Sequence, residues 1–173
     1  MSVLAQSTLT ALFVAQAGPG VDIGIGTADN LAGGAVGAFL TTLIVGAIMI
    51  AVVPEYTEQM MGDVLDEPVG SFVYGIIALV AVLIIAFVFF ITIIGILVAL
   101  PLLLVVYLLW AIGSVIAYLA IAERLIGRGD SWLEPLLVAA GLNGVLTLTG
   151  IGGLIAFCIG AAGFGTVLRS GLN

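Results

Sequence analysis

The chain's 173 residues are 63% hydrophobic and only 8% charged, with a mean hydropathy of +1.41. That excludes an ordinary soluble domain, in which charged residues make up about a quarter of the total. Ten acidic residues face three basic ones, all arginine, with no lysine or histidine and a net charge of −7, so the polar ends are acidic and do not suit nucleic acid or anionic lipid headgroups as partners.

The runs 35–53, 69–90 and 96–122 each meet the roughly 20 residues needed to cross about 30 Å of hydrocarbon. Their apolarity is continuous, whereas barrel strands alternate over about ten residues, so they are helices. The expected fold is an all-α polytopic membrane helix bundle in the cell membrane. It has three long spans, a short or re-entrant helical hairpin and a short interfacial amphipathic helix. An acidic, lysine-free surface suits a halophilic setting, since at about 1 M salt the Debye length is near 3 Å; chance among so few charges is the alternative.

Residues 1–34 read as a flexible lead-in ahead of a single membrane domain, 35–173. Its apolar run at 9–15 and the Ala15-Gln16-Ala17 pattern resemble a secretory signal with its cleavage site, without the usual positive n-region. An amphipathic or frayed N-terminus is the other reading. Gly33, Gly37 and Ala38 put small residues near the start of the first span, and Pro54 stops it.

Residues 54–67 form the one sizeable polar insertion. Tyr56, Met60, Met61, Val64 and Leu65 fall on one helical face, and Glu55, Glu58, Gln59, Asp63 and Asp66 largely on the other. A short helix along the interface is expected, acidic where such anchors are usually basic, serving as a solvated connector or a docking face.

The rest reads as one unit used twice: Glu-Pro, helix, T-x-I-G turn, helix, Arg. Glu67-Pro68 opens the first copy and Glu134-Pro135 the second; Thr92 and Gly95 mark the first turn, Thr149 and Gly152 the second; Arg124 and Arg169 close the helices that follow. At each turn the threonine hydroxyl can serve an open carbonyl, and the glycine can take backbone angles closed to other residues. Pro101 kinks the third span or marks its first turns. Trp110, Tyr107 and Tyr118 read as packing residues, and Gly113 with Ala117 shows small-xxx-small spacing. Ser131 and Glu134 match a capping box, and Trp132 an interfacial anchor.

The second unit is short: 135–148 rises about 21 Å and 153–168 about 24 Å. Ala156 with Gly160, and Ala161 with Gly165, should press the last helix closely on a neighbour. Asn143 at membrane depth calls for burial in the bundle, and Cys158, beside small residues, reads as a small core hydrophobe. With Arg124, Arg128 and Arg169 on the cytoplasmic side, both hairpins start and end inside.

The three long spans contain no Asp, Glu, Lys, Arg or His, one of which ion-coupled transporters usually carry there. Without histidine or a second cysteine, ordinary metal sites and acid–base or thiol–His catalysis lack their parts. No catalytic residue, cofactor or metal is expected, and no enzyme activity. The carboxylates of 55–67 lack the spacing of a dedicated cation loop.

The segments DEPVGSFVYG, ITIIGILVALP, AIGSVIAYLAIAERLIG, LVAAGLNGVLTLTGIGGL and AAGFG together resemble the multi-helix membrane domain fused behind bactofilin-type polymer-forming domains, closest to stand-alone haloarchaeal relatives. The resemblance covers about 35–169. Leu97 stands where proline is common in the family's turn. The resemblance implies a helical membrane domain with no established activity to carry over. The functional expectation is a membrane anchor or scaffold whose partners are the bilayer and either another protein or a second copy, met through small-residue faces. A channel or small-solute permease is the alternative, resting on the broken helices of the second unit.

Overall fold

The computed structural model describes residues 28–91, 93–127, 131–149 and 151–172. The signal-like stretch, Thr92 and Arg128 lie outside them. The described residues form six helices and no strand: α1 (Ala28–Val52), α2 (Pro54–Asp66), α3 (Pro68–Phe90), α4 (Ile93–Ile126), α5 (Leu133–Leu148) and α6 (Gly152–Leu172). Four of them, α1, α3, α4 and α6, are long and apolar enough to cross a membrane, while the 16 residues of α5 fall short. This is a multi-pass helical membrane protein.

Three helices are longer than the apolar pattern suggests, one of them α4, which covers Ile93–Ile126 against the expected 96–122. α1 begins at Ala28 rather than Ala35; an unpaired backbone is expensive in lipid, and Gly34 lets this end lie against Thr147 of α5. α6 continues past Leu168 to Leu172, because Arg169 finds a partner in Glu67. End to end the last helix thereby reaches the length of a span, which the range 153–168 does not, although from Arg169 to Gly152 it rises only about 25 Å.

α2 starts with Pro54 at its first turn, where proline's missing N–H costs nothing. Its apolar face is not spread on the interface. Thr57, Met60, Met61 and Val64 are buried, the last three in one cluster with Ile116, Leu119, Ala120 and Ala122 of α4. α2 therefore caps one end of the bundle, with Glu55, Glu58, Gln59, Asp63 and Asp66 facing out.

α4 is the central strut. Its second half, including Trp110, Ser114, Val115, Ile116, Tyr118 and Leu119, is buried, while its first half carries exposed Leu97, Leu100, Leu104 and Leu108, as suits lipid contact. The helix runs continuously through Pro101. α5 lies antiparallel to α1: Leu136 sits at Gly46 and Thr147 at Gly34.

α6 is wedged between α3 and α4 through glycine. A Cβ at Gly75 or Gly165 would meet the Ala161 or Ser71 carbonyl oxygen, and one at Gly113 or Gly163 the backbone of the other, in every case under 3 Å. Gly160 lies under Trp110 and Ser114, and the Trp110 ring meets Phe157 at 5.5 Å and Phe164 at 5.7 Å between centroids. With little hydrophobic drive between helices in lipid, such close backbone approach supplies the packing that holds them together.

Three local expectations need correction. Gly95 is not a turn residue: it is buried within the first helical turn of α4, and among the described residues only Gly127 has a positive φ, 76°. Ser131 does not cap α5, whose cap position is Trp132, with no side-chain capping bond to the first turn; the third helical position is then Pro135, which has no N–H to offer. Cys158 is exposed. Two residues from Ala156 and from Gly160, it points away from the packed side of α6.

Candidate functional site

The polar end of the bundle gathers what little charge the chain has. α2 ends at Asp66 and α3 starts at Pro68, so the single residue between them, Glu67, faces the last turn of α6. There its carboxylate accepts a hydrogen bond from Arg169, forming an ion pair. Asp63, Asp66, Ser71, Thr166 and Ser170 complete a cleft of about 360 Å³ around the pair. Three carboxylates against one guanidinium leave it acidic. Both partners of the pair are about half exposed, and an exposed pair of this kind is worth little in stability. Its effect is positional, fixing the start of the first hairpin against the end of the second.

The Arg169 hydrogen bond, and then its charge, hold the Glu67 carboxyl below its ordinary range. A carboxylate whose folded pKa is depressed contributes stability above its unfolded pKa and loses it as pH falls through the folded value. Glu67→Gln should therefore lower the thermal midpoint slightly at neutral pH and low salt. That difference should disappear only as pH falls through the depressed folded value, below the ordinary carboxylate range, and shrink in molar salt. A difference that stays constant across this range would mean that the pair does not form.

A second polar feature lies at membrane depth. The Asn143 amide of α5 is fully buried and donates to Thr42 Oγ1 of α1 at 2.8 Å and to the Ala38 carbonyl at 3.4 Å. Its Oδ1, like the Tyr118 hydroxyl, has no partner. Asn143 is thus buried in the bundle, as its position required. The other hydroxyls turn back on their own helices: Thr147 to Asn143 O, Thr166 to Ala162 O and Ser114 to Trp110 O. Thr149 is exposed at the second turn and donates to Leu146 O.

The small residues picked out by spacing, Gly113, Ala117, Ala156, Gly160, Ala161 and Gly165, are all buried. They are occupied within the chain, whereas Gly33 and Gly37 at the start of the first span are only partly buried, and nothing lies within 4 Å of a Cβ placed at Gly37. Gly75, Gly163 and Gly144, which no spacing singled out, do equal work: Gly144 lies over Ala35 O and Phe39. Among the described residues, no three His, Cys, Asp or Glu side chains converge to hold a metal ion.

No curated protein and no solved structure matches the chain. A family model described as a domain of unknown function, DUF8173, matches residues 1–172, and the chain belongs to that family.

Proposed function

We propose that the protein is an integral anchor or scaffold of the cell membrane, acting through protein–protein contacts rather than by moving a solute or catalysing a reaction. The observation that carries this reading is the filled centre. α6 is seated between α3 and α4 with backbone against backbone at Gly75, Gly113, Gly163 and Gly165, and the buried Ser114 and Thr166 hydroxyls serve their own helices. The resemblance to membrane domains fused to polymer-forming proteins supports the same reading, with an assembled protein as partner. With the small residues of α4 and α6 buried within the chain, the surfaces that suit a partner are the acidic outside of α2, the apolar flanks and the small-residue start of α1 around Gly37. An acidic outer face is also the chemistry that tolerates a salt-rich setting.

The test is transport. Purified protein in liposomes should leave ion and small-solute flux at background. A reproducible, saturable flux that depends on the protein would replace the scaffold with the channel or permease reading.

A further inference from the structure

The Glu67–Arg169 pair puts the start of α3 and the end of α6 at one level. From that level the two hairpins reach different depths. At 1.5 Å per residue α3 descends about 34 Å to Phe90, and α6 only about 25 Å to Gly152. Against a hydrocarbon core of about 30 Å, the first hairpin is slightly too long and the second slightly too short.

The shorter reach leaves a step. On α3, Phe72, Ile76 and Leu79 pack with Trp110 and Phe164. The same stripe, continued at helical spacing, runs on to Leu83, Phe87 and Phe90. These are 69%, 67% and 48% exposed; Leu83 stands level with the start of α6, and Phe87 and Phe90 lie below it.

The turn at the top of that step is built for hydrocarbon. The Thr149 N–H and hydroxyl both donate to Leu146 O, at 3.1 and 2.9 Å, and the Gly152 N–H donates to Thr149 O at 2.9 Å. Outward it presents Leu148, Ile151 and Leu154, all exposed. A turn that lies in water can leave its carbonyls to the solvent; one that lies in lipid must satisfy them internally. Among the described residues, this one satisfies Leu146 O and Thr149 O from within and faces outward with aliphatic side chains.

We infer that α5 and α6 form a re-entrant hairpin whose turn stops inside the leaflet, and that acyl chains of that leaflet fill the step over Phe87 and Phe90. The partner is lipid hydrocarbon, not a second copy and not water. The bilayer is locally thinner beside α5–α6 than beside α3–α4, since mismatch in both directions is relieved by the lipid. This inference stands whether or not the scaffold reading holds.

The test uses full-length protein carrying Cys158→Ala, an exposed position whose change disturbs no packing, with single substitutions Ile91→Cys, Phe87→Cys or Ile151→Cys. Ile91 and Ile151 are about equally exposed, 71% and 72%, and differ in expected depth. In phosphatidylcholine vesicles with a charged maleimide on both sides, the Ile151 site should react at least about tenfold more slowly than the Ile91 site, because a thiol held in apolar surroundings resists ionisation. A bimane label at Phe87 or Ile151 should be quenched by phosphatidylcholine brominated at mid-chain. Equal maleimide rates at Ile91 and Ile151 would place the second turn in water and overturn the proposal. A Phe87 label that lipid does not quench, or Phe87 cysteines that cross-link between copies, would show protein filling the step and overturn it equally.

Discussion

Gly163→Ala should lower the thermal midpoint in detergent sharply. The new methyl would press into the carbonyl of Gly113, closer than any side chain packs, and lie 3.1 Å from the Ala117 Cβ. Relief requires α6 to move away from α4. It cannot do so freely, because the opposite side of α6, at Ala161 and Gly165, already touches the backbone of α3 at Gly75 and Ser71. Overpacking a tight interior costs about 1–3 kcal/mol, and backbone on both sides, which yields less than side chains, puts this site at the upper end. Gly62→Ala is the comparison. Gly62 lies on exposed α2 with nothing within 4 Å of the new methyl, so the change should stabilise by about 0.5–1 kcal/mol through helix propensity alone. If the two variants melted alike, the close approach of α4 and α6 at Gly113 and Gly163 would be wrong.

The same glycines show what could be read from the chain in one dimension. Hydrophobic length alone locates the spans, since lipid leaves the backbone few alternatives, and the period of α2 sorts its buried methionines from its carboxylates correctly. Ala156, Gly160, Ala161 and Gly165 stand out because four-residue spacing repeats along one helix. Gly75 and Gly163 do not, because each is matched only by a residue in another helix. Cys158 is misplaced for a related reason: its small neighbours in sequence lie on the opposite side of α6. Glu67 and Arg169 are visible as the first and last marks of the two units. That the opening residue of one unit pairs with the closing residue of the other depends on how the hairpins nest, which no local pattern carries. Gly95 and Gly152 look equivalent in the repeated motif, yet the helix of the first unit begins before its glycine and the helix of the second begins at it.

That difference sets the remaining large effect, at Gly152. Its φ is not positive, so the constraint is steric rather than conformational. A Cβ there would run into Leu146 O and the Thr149 hydroxyl, the groups that close the turn. Leu146 O accepts both bonds from Thr149, so any side chain at 152 must open the turn and free that carbonyl. Each lost bond is worth about 1 kcal/mol, and a carbonyl left bare in hydrocarbon costs more than one that water can reach. With the strain of the added bulk, Gly152→Val should cost about 3 kcal/mol or more, and Gly152→Ala nearly as much, since the first carbon already clashes. Thr149→Val keeps the shape, removes only the hydroxyl bond and should cost about 1 kcal/mol. Gly171→Ala, near the end of α6 with open space around it, should be neutral. The thermal midpoints should therefore fall in the order Gly171→Ala, Thr149→Val, Gly152→Ala, Gly152→Val. If Gly152→Ala were as harmless as Gly171→Ala, the turn would have another geometry, and a hairpin that closes its own hydrogen bonds inside lipid would lose its basis.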